Sequence, residues 1–335
     1  MNNKRALVTG GCGFIGSNLV HGLSERGWKV DVVDDMSNGH LEFLESLKLK
    51  IVPGFLVGQY EENYENSRSD GTVLVIEADI EHESVLQRVK RGRYDVIFHL
   101  AANPRVAQSV ENPAHTTDVN CTRTLSLIEA VRDCSTPVRF VFSSTCALYG
   151  NVAILPTDEF SIPNPSSPYG LQKRFVEEYI RIATDLHGID AVSLRYFNVY
   201  GPRQVADSAY ATAITAWCNR VKDGQSLRSD GDGEQSRDMV FVDDVVRANI
   251  LAATREEKFK GETINIGSGK RYTNNQILDM FRGRFGNISV TNAPPRPGDV
   301  RHTQADITKA AKLLSFVPQV SLEEGLNRTW SWWGL

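Results

Sequence analysis

Through the first two hundred residues, short apolar runs alternate with longer amphipathic stretches. Arg5-Ala-Leu-Val-Thr9, Lys29-Val-Asp-Val-Val33, Thr72-Val-Leu-Val-Ile76, Asp95-Val-Ile-Phe-His-Leu-Ala-Ala102, Val138-Arg-Phe-Val-Phe-Ser143 and Ala191-Val-Ser-Leu-Arg195 are short and apolar enough to be buried strands. Helical patterns fall between them, near 14–26, 82–91, 113–133 and 166–187. Strand and helix in alternation predict an α/β fold built on a doubly wound parallel sheet. Residues 38–71 show no period, and 58–71 reads as a polar surface excursion.

Beyond about residue 200 the pattern loosens into proline, glycine and short segments, which predicts a smaller C-terminal lobe that binds substrate. The expected division is 1–198 for the first domain and 199–335 mainly for the second. It is interleaved, because the strand-like 239–242, the helix to Thr254 and the short strand 263–266 look like material returning to the first.

A chain of 335 residues has room for about two lobes. Its formal charge of −4, with Lys and Arg scattered, offers nucleic acid no attractive surface. The five cysteines form no C-x-x-C pair and no set with metal-ligand spacing, so a reducing cytoplasm is expected and no metal. The chain enters its first strand without a charged leader, and no run approaches the ~20 apolar residues that would cross a bilayer. Secretion and membrane insertion are therefore not expected.

Three local patterns carry chemistry. The first strand runs into Gly10-Gly-Cys-Gly13-Phe14-Ile15-Gly16 and then a helix. Glycines there allow a tight turn, close approach of backbone N–H groups to a pyrophosphate, and close helix-on-strand packing. The second strand ends at Asp34-Asp35, 18 residues past Gly16, where an acid meets the adenosine ribose and repels a 2′-phosphate, favouring NAD over NADP. A solvated turn is the plainer reading of those two acids. Asp79-Ile80, at another strand end, suits an adenine contact. Finally, Tyr169 and Lys173 stand four apart at the start of a helix, 24 residues after Thr145 in Ser143-Ser144-Thr145. They share a face, and an ammonium beside a phenol stabilises the phenolate, making a base near neutral pH from a group of ordinary pKa ~10. Gly10, Asp34, Asp79, Ala101, Thr145 and Asn198 all lie at or just past strand ends, where open α/β sheets bind ligands.

Taken together, the glycine turn, His99-Leu-Ala-Ala102, Ser143-Ser-Thr-Cys-Ala-Leu-Tyr-Gly150, Ser167-Pro-Tyr-Gly-Leu-Gln-Lys173, Leu194-Arg-Tyr-Phe-Asn-Val-Tyr-Gly-Pro-Arg203 and Gly298-Asp-Val-Arg-His-Thr-Gln-Ala-Asp306 resemble the extended short-chain dehydrogenase/reductases, and among them the nucleotide-sugar 4-epimerases. The likeness covers nearly the whole chain. It implies a Rossmann-like fold, bound NAD, a UDP-sugar substrate and a homodimer formed through the helices near 113–133 and 165–187. Tyr169 would take the proton of the sugar 4-hydroxyl, Thr145 would bridge that hydroxyl, and Lys173 would hold the nicotinamide ribose and activate Tyr169. The cofactor set implied extends beyond the residues above to Asn38 and Gly39, to Leu100 and Ala102, and to Asn120, Ser143 and Phe197. On the substrate side it implies Ser144, Asn198 and Arg296 near the sugar and pyrophosphate, Arg237 near the nucleotide end, Asp299 at its ribose and Thr303 beside the sugar. Either arginine could instead be a surface ion pair.

Departures refine the expectation. Cys146 and Ala147 follow Thr145 where dehydratases carry Asp-Glu, which disfavours elimination. Cys146 reads as a core thiol rather than an acid/base group. Thr303 aligns with a position where some 4-epimerases carry tyrosine, leaving room for a 2-N-acetyl group, so UDP-GlcNAc and UDP-GalNAc are expected, with UDP-Glc and UDP-Gal also possible. A UDP-glucuronate or UDP-N-acetylhexosaminuronate 4-epimerase is the alternative, with Arg301 either meeting a uronate carboxylate or covering the surface. Pro104 stands where some members carry a cofactor-contacting lysine, and Asp230 replaces a commonly apolar residue. A non-catalytic NAD-binding protein and a net oxidoreductase are the readings from other classes.

Overall fold

The computed structural model describes residues 4–57, 71–205, 212–286, 288–294 and 300–335; apart from Gly71, the excursion expected at 58–71 lies outside them. The strands among these residues are, in chain order, β1 (Arg5–Thr9), β2 (Lys29–Asp34), β3 (Lys48–Pro53), β4 (Thr72–Glu77), β5 (Val96–His99), β6 (Arg139–Thr145), β7 (Asp190–Tyr196), β8 (Asn198–Tyr200), β9 (Leu227–Asp230), β10 (Ser236–Phe241), β11 (Glu262–Ile266), β12 (Arg271–Thr273) and β13 (Val290–Ala293).

Eight form one sheet in the order β11-β7-β6-β5-β1-β2-β4-β3. β1 pairs in parallel with both β2 and β5, β4 with both β2 and β3, and β5 with β6. The continuous burial of β1, β2 and β5 explains their unbroken apolar sequences, since helices cover both faces. Leu7, Val33, Ile76, Ile97 and Phe140 share a core with Val85, Leu127, Val176 and Ile180 from helices. Gly22 on the Phe14–Ser24 helix lies against Val246 and Ile250, where an added Cβ would come within 2.7 Å of the Val246 side chain.

β3 was not expected. Among the described residues it is an edge strand paired only with β4, and its Lys48 and Lys50 alternate outward, so it lacks the apolar run by which the inner strands are recognised. The strand expected at 95–102 ends at His99, freeing 100–102 as a loop.

The chain folds as two compact units. One comprises Met1–Ser144, Ser167–Leu194 and Val246–Thr263; the other comprises Thr145–Ser166, Arg195–Val245 and Ile264–Leu335. Within the second unit β10 pairs in parallel with β8 and antiparallel with β12, while β9 pairs with β13. Thus β10, expected at 239–242 as part of the returning material, stays with β8 and β12. A core of Trp217, Phe281 and Trp330 packs edge to face, with centroids 5.6 and 5.2 Å apart.

The segment that returns to the first unit is anchored by Arg139. This buried guanidinium donates to the carbonyls of Ala252 (2.9 Å) and Glu257 (3.0 Å), pairs with Asp190 and lies over the Phe259 ring. Arg139→Met strands the half-buried Asp190 carboxylate and several carbonyls. The expected loss is about 3–5 kcal/mol in urea-unfolding free energy; a loss below about 1 kcal/mol would show that water replaces the guanidinium there.

Candidate active site

The strand order reverses between β1 and β5, because β1 continues to β2 on one side while β5 continues to β6 on the other. Crevices of this kind, at the carboxyl ends of the strands, bind ligands in open α/β sheets. Gly10 follows β1 there, and Leu100, Ala101 and Ala102 follow β5. Gly10 has φ +67°, and a Cβ on it would stand 2.7 Å from the Ala101 nitrogen. A Cβ on Gly16 would stand 2.0 Å from the Gly10 carbonyl oxygen. Gly13 is the N-cap of the Phe14–Ser24 helix, whose first turn has neither a side-chain cap nor an acidic residue, so its backbone donors, including those of Phe14 and Ile15, are left for an anion. A cradle this tight, with an uncapped helix end, fits a dinucleotide pyrophosphate.

Asp34 closes the neighbouring strand. Its carboxylate accepts from the backbone N–H of Cys12 (2.9 Å) and of Met36 (3.0 Å), while Gly39 is close enough that a Cβ there would stand 2.5 Å from Oδ1. Burial raises the Asp34 carboxyl above its ordinary range, and those two N–H bonds oppose the rise. Asp35 instead turns outward and accepts from Ser37, and Asn38 is exposed beside it. Asp79 is paired with Arg123, next to the buried Ile80.

Asn120 is not open to a ligand. Its Oδ1 accepts from Asn103 N–H (2.7 Å), and its Nδ2 donates to the Asn103 carbonyl (3.0 Å) and to Gln172 Oε1 (2.8 Å). The side chain fixes the loop after β5 from behind, with its amide committed to Asn103 and Gln172 rather than held out toward the crevice.

His99, at the end of β5, sets the same loop. Thr124 Oγ1 donates to the Asn120 carbonyl (3.0 Å) and therefore accepts from His99 Nε2 (2.9 Å). Nδ1 is then the acceptor for Thr9 Oγ1 (2.7 Å), which in turn accepts from Ala101 N–H (3.2 Å). This chain of bonds demands a neutral imidazole; burial, and then Lys173, lower its pKa to about 3.

The catalytic pair expected from the sequence lies on the Pro168–His187 helix, started by Pro168 and capped by Ser167, whose Oγ accepts from Gly170 N–H (3.2 Å). The Tyr169 backbone N–H donates to Ser109 Oγ (3.1 Å). Lys173 is buried; its Nζ donates to the Ser143 carbonyl (2.8 Å), 4.6 Å from the Phe142 ring centroid and 6.0 Å from that of Tyr169. Burial pushes the ammonium down to about 8, while Cys121 and Glu177 act in the opposite direction. Strand alternation along β6 turns Ser143 one way and Ser144 the other. The Ser144 hydroxyl, expected to face substrate, instead donates to the buried Glu177. Thr145 ends the strand, and its Oγ1 accepts from Ala147 N–H (3.2 Å).

Among the second unit's residues, Asn198 Oδ1 accepts from Thr303 Oγ1 (3.2 Å), which accepts in turn from Asp238 N–H (3.2 Å). Arg237 Nη1 donates to the carbonyls of Ser236 (3.1 Å) and Arg301 (3.3 Å). Phe197 is buried with Leu148, Tyr149 and Ala305, and Cys146 packs at the edge of that cluster. Burial, reinforced by Asp238, pushes the half-buried Cys146 thiol up to about 12, which keeps it from acid/base work. Arg296 and Asp299 lie outside the described residues.

Sequence reading gave no role to Glu177, His99, Gln172 or Asp238. For Glu177 a signal existed, a carboxylate four residues past Lys173 on one helix face. For Asp238 none did, because its four bonds to Ser268, Gly269 and Ala305 join distant segments.

A Tyr-x-x-x-Lys helix beside a glycine turn at the switch point of a parallel sheet defines a dinucleotide-dependent enzyme of the short-chain dehydrogenase/reductase type. The profile of the NAD dependent epimerase/dehydratase family matches residues 6–267, and the chain belongs to that family. It is similar to the UDP-glucose 4-epimerase of Thermotoga maritima solved with UDP-glucose, at 38% identity over 98% of each chain and a TM-score of 0.85. It is also similar to the UDP-N-acetylglucosamine 4-epimerase of Methanobrevibacter ruminantium solved with UDP-N-acetylmuramic acid, at 34% identity over 99% of this chain and 98% of that one, TM-score 0.86. The UDP-glucuronic acid 4-epimerase of Bacillus cereus, solved with UDP-glucuronic acid and NAD, has 28% identity over 98% and 99% of the two chains and a TM-score of 0.81. The chain is an NAD-dependent enzyme of the UDP-sugar 4-epimerase group. Among the described residues no helix is long and apolar enough to cross a membrane.

Gly16→Ala pushes a methyl group into the Gly10 carbonyl. NAD carried through purification, measured by chromatography after denaturation, should fall by about tenfold or more, the order expected when a binding frame moves by ~1 Å. Unchanged NAD content would mean that this turn does not hold the pyrophosphate.

Proposed function

We propose that the protein inverts C4 of a UDP-N-acetylhexosamine, interconverting UDP-GlcNAc and UDP-GalNAc, and that it also accepts UDP-Glc and UDP-Gal. Tyr169 takes the proton of the 4-hydroxyl, Thr145 bridges that hydroxyl, and Lys173 keeps the phenolate available and holds the nicotinamide ribose. Bound NAD supplies the acceptor, and later the donor, of the hydrogen at C4. Asn198 and Arg296 grip the pyrophosphate, Arg237 the nucleotide end and Asp299 its ribose, leaving the 4-keto sugar free to turn about its pyrophosphate. Tyr169 then returns its proton, and C4 is inverted without net oxidation or reduction.

Thr303 carries the choice of sugar. Its hydroxyl is engaged with Asn198 and the Asp238 backbone, so a methyl group stands where some 4-epimerases carry a phenol ring. That smaller group leaves space for a 2-N-acetyl substituent. Arg301, the guanidinium a uronate could meet, pairs at the exposed surface with Asp232 through two nitrogens at 2.8 and 2.7 Å, as a surface ion pair does. We further propose a homodimer, because Leu171, Phe175, Ile182 and Leu186 form an exposed apolar stripe on the Pro168–His187 helix.

Purified protein offered UDP-GlcNAc, UDP-Glc and UDP-GlcA separately, with the anomeric protons followed by NMR, should convert UDP-GlcNAc fastest; fastest conversion of UDP-GlcA would move the assignment to the uronate reading. Tyr169→Phe should lower kcat by roughly 10²–10⁴-fold with the fold retained, and near-normal turnover would remove Tyr169 as the base. Thr303→Tyr should cut turnover of the N-acetylated sugar more than that of UDP-Glc, whereas equal losses would exclude position 303 as the determinant. Leu186→Glu should shift the protein to a monomer in light scattering; an unchanged mass would place any interface elsewhere.

A further inference from the structure

Glu177 sits one helical turn beyond Lys173 and, like it, is buried, at 4% and 2% exposure. Successive residues of β6 take up the two side chains: the Ser143 carbonyl accepts from Lys173, and the Ser144 hydroxyl donates to Glu177. Every other titratable group facing Lys173 among the described residues is neutral or is the base itself. His99, on β5, is held neutral by its two threonines. Cys121, on the turn at 118–122, has a thiol pushed up to about 11 by burial and donates to the Gln172 carbonyl (3.7 Å). Tyr169 lies on the same helix as Lys173, and β6 contributes the uncharged Phe142 and Ser143.

An oxidised nicotinamide brings a second positive charge to an ammonium already deprived of water. We propose that Glu177 is a positioning residue that supplies the counter-charge for this site, keeping Lys173 protonated beside the oxidised cofactor and so keeping Tyr169 competent as the base. The proposal rests on the assignment of Tyr169 and Lys173 as the catalytic pair. No covalent change at Glu177 is involved. Its carboxylate acts through the field it exerts on Lys173, its i−4 neighbour on one helix face, where burial of both groups leaves the interaction stronger than in water.

The sign follows from the charges. Removing a negative group disfavours the ammonium, so Lys173 loses its proton at lower pH, and favours the phenolate, so Tyr169 also loses its proton at lower pH. The whole bell of activity against pH therefore moves toward acid. For the NAD-loaded enzyme, Glu177→Gln should shift both limbs of the kcat profile down by about one pH unit. Glu177→Asp, which withdraws the carboxylate by one methylene, should move them the same way by about half as much. A second readout needs no turnover: on stripped protein at about pH 6, where Lys173 is charged, Glu177→Gln should weaken NAD⁺ relative to NADH by about tenfold in a binding titration.

Lower kcat with unmoved limbs and an unchanged NAD⁺ to NADH ratio in both variants would overturn the proposal and leave Glu177 a packing residue. Should the Gln variant not fold, the Asp variant alone decides by the same two readouts. Tyr169→Phe run alongside separates the premises, since an active Phe variant would remove the catalytic pair itself, whereas an inactive one with superimposable Glu177 profiles would remove only the role of Glu177.

Discussion

The burial of one ammonium group constrains much of the first unit. Lys173 lies almost wholly out of water, where an unpaired cation would be costly, and its partners come from three elements. β6 offers the Ser143 carbonyl and the Phe142 ring, its own helix offers Tyr169 and Glu177, and the turn at 118–122 packs Cys121 beside it. Helix and strand are thereby fixed in register, because a slip of one residue along β6 would face the ammonium with the wrong carbonyl. The cost of burial also bears on the chemistry proposed for the pair, since an ammonium short of water acts strongly on a phenol nearby.

The cofactor cradle depends on backbone more than on side chains. Gly10 and Gly16 are needed because any Cβ would strike the chain, and the helix that follows leaves its first N–H groups uncapped. Polar side chains behind that surface hold it in shape. The relay from Ala101 through Thr9, His99 and Thr124 to Asn120 makes each hydroxyl both a donor and an acceptor and gives each ring nitrogen one role, and Asn120 commits its amide to Asn103 and Gln172. Buried networks of this kind are rigid when fully satisfied and costly when not, which suits a surface that holds the backbone of a cradle in one shape.

In the second unit the same principle operates through Asp238. Its carboxylate gathers donors from Ser268, Gly269 and Ala305, and its backbone N–H reaches Thr303, which holds Asn198. Burial raises the Asp238 carboxyl, and the donors around it oppose that rise. The residue assigned to sugar choice is thus tied to one assigned to the diphosphate, and a larger side chain at 303 would disturb both.

The parallel sheet, the glycine turn, the position of Asp34, and the placing of Tyr169 and Lys173 at the start of one helix were all legible in the chain before any folding. Each is written in a short window, through apolar runs, glycine spacing or the four-residue repeat of a helix. The remaining features emerged only from packing. Ser144 is turned inward to Glu177, Asn120 is occupied with Asn103, Asp79 is paired with Arg123, Arg301 is held by Asp232, and β3 is added at an edge. They have a cause in common: a hydrogen bond or ion pair between residues far apart in the chain depends on how distant segments pack, and no local pattern of residues encodes which of several polar partners a side chain will meet.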